Sequence, residues 1–234
     1  MKPVNKQSNR RRYFPYDTAK PALLALLGEQ CSYCERAGVP QDLHVEHIYP
    51  VNGHPSQSTR WDNFLIACNT CNTYKRLHIG DGRQRSLLTR YLWPHTDNTA
   101  NAFRYESTGQ VTIAATAPPH LARAAKATID MAGLLRSPAK AKNYSQLGVA
   151  YDGVSRRRQA WGQASGFKQL FLQNPTPANA AAIADGAPSM GYFSVWMEVF
   201  NDLPIVRREL IRAFKADPNC FDPATTAPVK KGRI

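Results

Sequence analysis

Hydrophobic and polar positions change period several times along this chain, and each change marks an element. Leu23, Leu24 and Leu27 recur at helical spacing, with Asp17 or Thr18 as a candidate cap, Pro21 in the first turn and Gly28 at the end. Residues 42–47 alternate with the period of a short strand, which with the Cys31 segment forms the first half of a small hairpin unit. Residues 51–60 are rich in Gly, Pro, Ser, Asn and Gln and read as loop, and the apolar run 64–67 predicts the buried return. A helix is expected next, with Asn72 in its first turn, Lys75 and Arg76 close by on one face, and Gly80-Asp81-Gly82 ending it.

Beyond Gly82 the pattern predicts a hairpin over 102–115, where Phe103-Arg104-Tyr105 and Val111-Thr112-Ile113 flank Ser107-Thr108-Gly109-Gln110. After Pro118-Pro119 a helix is expected with Leu121, Ala125, Ile129 and Ala132 on one face. A longer helix follows Asp152, carrying Val154, Trp161, Leu170 and Phe171 past two helix-weakening glycines, Gly162 and Gly166. Phe193, Trp196, Val199 and Phe200 form an apolar stripe of core type, with burial against another subunit as the alternative, and Pro204 opens a last helix with Val206, Leu210 and Phe214 inward. Residues 1–16 are basic and without period, which predicts an arm ordered only on docking; the Pro- and Thr-rich tail from Asp217 is expected to be poorly ordered. The fold class is α+β, divided into a unit over 1–80 and a mainly helical basic domain over 81–234.

Composition sharpens this picture. With 43% hydrophobic residues the chain can bury a core, and a formal charge of +13 attracts polyanions, nucleic acid first among them. Residues 81–234 hold 20 Lys and Arg against 11 Asp and Glu, so this half reads as a platform for nucleic acid or a partner. No apolar run approaches the ~18 residues of a membrane span. A basic start is followed by Tyr13-Phe14-Pro15-Tyr16-Asp17 where a signal peptide would be apolar, so a cytoplasmic location is expected.

Four of five cysteines stand in two pairs, Cys31/Cys34 and Cys68/Cys71, each with two residues between. That spacing lets four thiolates close a tetrahedral zinc site that leaves no open position, and the metal is therefore structural. Reduced buried pairs or a redox pair are the alternatives, and Cys220 stands alone. Between the pairs lies Glu46-His47-Ile48-Tyr49-Pro50, followed by Asn63 and Asn72. Phosphodiester hydrolysis needs a base working near neutral pH, which histidine supplies, and hard oxygen ligands for a divalent ion, which a carboxylate and a carboxamide supply. Taken singly, a Glu-His pair is usually a strand end and an asparagine at a helix start usually a cap. Their joint occurrence between the cysteine pairs is the stronger signal.

Val45-Glu46-His47-Ile48-Tyr49-Pro50, Asp62-Asn63-Phe64 and Cys68-x-x-Cys71-Asn72-x-x-Lys75 together resemble the HNH endonuclease motif on its ββα-metal fold, in the four-cysteine variety. The resemblance implies that Glu46 and Asn72 bind a catalytic Mg²⁺ or Mn²⁺ that stabilises the leaving 3′ oxygen. It further implies that His47 is the general base, that Asn63 pins its loop, and that Lys75 contacts phosphate or supports the helix. Aspartate or histidine is commoner at the position of Glu46. More widely, Lys2-Pro3-Val4-Asn5-Lys6, Cys31-Ser32-Tyr33-Cys34-Glu35 and Gly191-Tyr192-Phe193-Ser194-Val195-Trp196-Met197 are similar to PtuB-type HNH nucleases. These are effectors of Septu and retron-linked antiphage systems that associate with an ABC-type ATPase, PtuA. A catalytically silent zinc-braced binding module and an RNA-directed nuclease are the competing readings. Candidate nucleic-acid contacts are Lys75, Arg76, Arg208, Arg212 and Lys215, whereas Arg156-Arg157-Arg158 reads as a solvated helix surface.

Overall fold

A computed structural model describes residues 1–80, 87–136 and 152–234. It mixes helices with two small antiparallel sheets, as an α+β chain should. In order, α1 is Lys20–Leu27, β1 Leu43–His47, β2 Phe64–Cys68, α2 Asn69–Ile79, α3 Leu87–Arg90, β3 Phe103–Tyr105 and β4 Val111–Ile113. Then come α4 Pro119–Met131, α5 Gly153–Gln173, α6 Pro177–Met190, α7 Phe193–Val199 and α8 Pro204–Ala213. Asp81 and Gly82, expected beyond the end of α2, lie outside the described residues; Gly80 itself closes that helix with φ 62°.

Most boundaries follow the pattern. β1 pairs with β2 from Leu43↔Cys68 to His47↔Phe64, and the hairpin packs against α1 and α2. Phe64 through Cys68 are all buried, with α1 and α2 both packed against β2. α1 is entered through a 3-10 turn over Tyr16–Ala19, not a side-chain cap from Asp17 or Thr18. Asp152 caps α5 by accepting from Ser155 N at 2.9 Å, although Leu170, expected on its apolar face, is exposed. The helix α6 escaped the pattern, since its buried face is only Ala180, Ala184 and Ala187. Buried apolar side chains form two clusters, one built mainly from residues 1–134 and the other from α5 through Phe221, with Trp161 against both. The stripe Phe193, Trp196, Val199 and Phe200 lies inside the second.

Both chain ends depart from expectation. Met1, Lys2, Val4 and Lys6 are buried, because ordering on docking is not needed when the segment can fill the core. Two ammonium groups make this possible. Lys2 Nζ donates to Leu27 O, Gln30 Oε1 and Phe214 O at 2.6–3.0 Å, and Lys6 Nζ to Trp61 O, Asp62 O and Phe64 O at 2.8–3.2 Å. Burial drives both pKa values down to about 7, while each set of three acceptors suits the charged form, which alone carries three hydrogens. The tail is equally ordered: Arg233 clasps Asp97 at 2.7 and 3.0 Å, and Phe221 bridges Pro228. Prolines and threonines there terminate regular structure without preventing docking.

Two contacts lock the clusters together. Glu35, in the loop after Cys34, accepts from Ser194 N at 2.9 Å and Ser194 Oγ at 2.6 Å at the start of α7. A side chain at Gly191 (φ 75°) would meet Ala37 N at 2.5 Å, so only glycine allows this approach. Arg157, expected in solvent, is 1% exposed: its Nε donates to Gly109 O at 2.8 Å, joining α5 to the β3–β4 turn. Among the described residues no helix is long and apolar enough to cross a membrane.

Candidate active site

The four paired cysteines converge from the loop before β1 and from the β2–α2 junction. Their sulfurs lie within 4.8 Å of one another, all four are buried, and none forms a disulfide. Cys34 and Cys68 sulfurs are 3.9 Å apart. Tetrahedral zinc with Zn–S bonds of ~2.3 Å requires an S···S separation of about 3.8 Å, so the cluster fits that ion. Arg136 Nη2 stands 3.2 Å from Cys71 Sγ, with its guanidinium 4.7 Å from the Tyr74 ring centroid. A cation there balances the negative charge of a four-thiolate site. Nothing in the local sequence announces Arg136, which arrives from beyond α4.

His47 ends β1. It is half-buried, with its ring 4.6 Å from that of Tyr16 and 5.2 Å from that of Phe64. Its Nε2 is 2.8 Å from Ser58 O. A carbonyl only accepts, so Nε2 carries the hydrogen and Nδ1 keeps a lone pair in the neutral ring. Burial lowers the His47 pKa, against the raising effects of the Ser58 carbonyl and Glu46, and Lys75 lowers it further. The imidazole is therefore neutral at pH 7.

The loop that supplies Ser58 is fixed by Asn63. Its Oδ1 accepts from Tyr49 N at 2.7 Å, and its Nδ2 donates to Tyr49 O and Gln57 O, both at 3.1 Å. Lys6 adds a second restraint that the pattern of residues 1–16 concealed. Two of its three carbonyls, Asp62 O and Phe64 O, flank Asn63 in the chain. Trp61 returns the contact through Nε1, which donates to Lys6 O and Gln7 O.

Glu46 turns the other way, toward α2. Its carboxylate is 3% exposed, 2.6 Å from Lys75 Nζ, and Oε1 accepts from Tyr33 OH at 3.2 Å. Lys75 Nζ also donates to His47 O. Lys75 is thus turned inward, its side chain 4% exposed, rather than toward a ligand at the surface. Asn72 stands three residues earlier on the same side of α2, half-buried, with no side-chain hydrogen bond to any described residue. A carboxylate and an uncommitted carboxamide on facing elements are the hard oxygen donors a divalent ion takes, although one Glu46 oxygen already serves Lys75 and Tyr33. β1 stays paired through His47, and the chain bends only after it, at Ile48 and Tyr49.

The remaining basic candidates are scattered. Arg76 is exposed on α2. Arg208 donates to Pro223 O, Lys215 donates to Ala25 O, and Arg212 is held by Asp185 at 2.7 Å and Glu209 at 2.8 Å. Arg208 and Arg212 are exposed on α8 and Lys215 lies just past its end, and Arg212 is already paired with acids.

No curated protein matches the chain in sequence. Cysteines that meet at zinc-binding distances, a neutral histidine at the end of β1 and an asparagine pinning the loop it contacts all fall in one stretch, and that stretch, residues 31–76, matches the HNH endonuclease family model.

Proposed function

We propose that this protein is a metal-dependent endonuclease of the HNH type that hydrolyses nucleic-acid phosphodiester bonds, with DNA as the favoured substrate. The observation that carries the reading is the His47–Ser58 hydrogen bond, which leaves Nδ1 of a neutral ring as the acceptor for a proton from attacking water. Asn63 holds the Ser58 loop so that this nitrogen keeps its direction. Glu46 and Asn72 bind a magnesium- or manganese-type cation, and Lys75 orients Glu46. A divalent ion there supplies Lewis-acid stabilisation of charge on the phosphate. The four thiolates hold zinc and keep β1, β2 and α2 in register.

The charge of +13 supports a polyanionic substrate. In this reading the helical half over 81–234 is the platform for nucleic acid or a partner, and the chain is the effector of an antiphage complex with an ABC-type ATPase. That assignment is supported by the quoted similarity to PtuB-type nucleases. Co-purification with an ATPase is its expected outcome, and full unregulated cleavage by the isolated chain argues against it.

The deciding experiment is digestion of supercoiled DNA and structured RNA side by side with magnesium or manganese, by the protein together with any ATPase that co-purifies with it. Parent protein is expected to cut DNA and His47→Ala to lose at least about a hundredfold in rate while keeping zinc. Equal cutting by both proteins removes the hydrolase assignment and leaves a zinc-braced binding module. Cutting of RNA alone changes the substrate and not the chemistry.

A further inference from the structure

Residues 1–16 contain a feature that the catalytic reading does not use. A cleft of about 430 Å³ opens between this segment and the turn before β2, and its walls include Arg10, Arg11, Arg12 and Arg60. The one carboxylate in the wall, Asp62, lies 3.6 Å from Arg60. Arg10 and Arg11 are exposed and have no acidic partner among the described residues. Four guanidiniums against one carboxylate repel one another, and an anion with regularly spaced charges relieves that repulsion. Guanidinium also matches phosphate oxygens in a forked geometry.

The segment beside the cleft is anchored to the turn before β2. Tyr13 is buried, its ring 5.7 Å from that of Trp61, and Tyr13 N donates to Thr59 O at 3.0 Å. Arg12 pairs with Arg60 across a β-bridge and donates to Thr59 Oγ1 at 3.2 Å. Thr59 is the neighbour of Ser58, whose carbonyl holds His47, so the contact that anchors Arg12 is next in the chain to the one that orients the base. Downstream of the arginines two rings face solvent: Phe14 is 74% exposed, and Tyr16 is 43% exposed. Arginines followed by open aromatic faces are the chemistry that grips a single strand, through phosphates and through stacked bases.

We propose that Arg10–Tyr16 is a track for one strand of the nucleic-acid substrate, with Arg10, Arg11 and Arg60 on backbone phosphates and Phe14 and Tyr16 stacking bases beside His47. The track rests on the hydrolase reading for its purpose, and a binding assay separates the two. His47→Ala protein, which should not cut, is titrated with a labelled single-stranded DNA oligonucleotide at several salt concentrations. Adding Arg10→Gln and Arg11→Gln is expected to weaken binding roughly tenfold and to flatten the salt slope by about 1.4, or ~0.7 for each lost phosphate contact. Phe14→Ala should weaken binding by a similar factor with the slope unchanged. Arg156→Gln with Arg158→Gln, an equal loss of charge from the exposed face of α5, should leave the slope as it was.

Parent-like affinity and slope in the Arg10/Arg11 variant overturn the track, as does an equal effect of the Arg156/Arg158 pair. If the binding losses appear but the chain with His47 intact cuts nothing even together with any ATPase that co-purifies with it, the hydrolase reading falls and the track stands as a binding surface. If that chain cuts while its Arg10/Arg11 variant binds and cuts equally well, the track falls and the hydrolase reading stands.

Discussion

The zinc-type unit over 31–76 and the helical cluster from α5 to Phe221 are stabilised by different means. In the helical cluster Phe193, Trp196, Phe200, Val206, Leu210 and Phe214 are buried, with Trp196 and Phe200 stacked at 6.2 Å. Over 31–76 Tyr33, Leu43, Val45, Ile48, Trp61 and β2 are buried as part of the first cluster, yet polar groups are buried among them: four thiols, Glu46 on Lys75 and Tyr33, and Asn63 on Tyr49 and Gln57. A unit of this length cannot bury enough apolar surface to stand on packing alone. Metal ligation and satisfied polar contacts add to the packing here, and they fix side-chain direction more tightly than hydrophobic packing does. Loss of one polar partner therefore damages geometry, whereas loss of one apolar side chain mainly damages stability.

The largest test removes the metal ligands. Cys68→Ser with Cys71→Ser is expected to unfold 31–76, since structural zinc contributes on the order of 10–16 kcal/mol of apparent binding energy in small domains. Hydrogen exchange should show lost protection over β1, β2 and α2 with α6–α8 still protected; unchanged protection over 31–76 would break the contrast. Next, Trp196→Ala should cost about 3–5 kcal/mol in denaturant unfolding, with cleavage per folded molecule within about twofold of the parent.

Lys2 and Lys6 allow a finer comparison, because each gives its ammonium to three oxygen acceptors but at different places. Substituting either by methionine strands those acceptors at about 1–3 kcal/mol. Only Lys6→Met should also slow cleavage, by roughly tenfold or more, because its carbonyls flank Asn63. Equal cleavage by both variants would show that the Asn63 turn holds itself.

A smaller effect comes from pH. His95 is pushed down to about 3, chiefly by burial, with Lys6 and Lys231 lowering it and Asp97 opposing. Its ordinary value is about 6.5, so between pH 6.5 and 3 the unfolded chain binds the extra proton and stability falls as pH falls. About 1 kcal/mol should be lost between pH 7 and 5.5, and His95→Phe should flatten that part of the stability curve. Smallest of all, Arg212→Ala should change stability by less than about 1 kcal/mol, because its pairs with Asp185 and Glu209 lie largely in solvent.

Much of the site could be read in advance because its signals are local. Two Cys-x-x-Cys pairs, an alternating strand and a helix start lie within 46 residues, and backbone geometry alone constrains where such close neighbours go. The positions of Glu46 and Lys75 were legible, but their mutual pairing was not. A lysine three residues past Asn72 looks the same in sequence whether it faces phosphate or a buried carboxylate.

The sequence by itself determined most of the elements, the thiol cluster and the order in which His47, Asn63 and Asn72 appear, because spacing and periodicity act over a few residues. Only the tertiary structure decided the fate of residues 1–16, whose polar run conceals two buried ammonium groups, and of the tail, which closes on Asp97 through Arg233. The physical reason is that a buried charge is tolerable only where distant backbone carbonyls or a counter-charge meet it, and those partners lie 25 to 212 residues away in the chain.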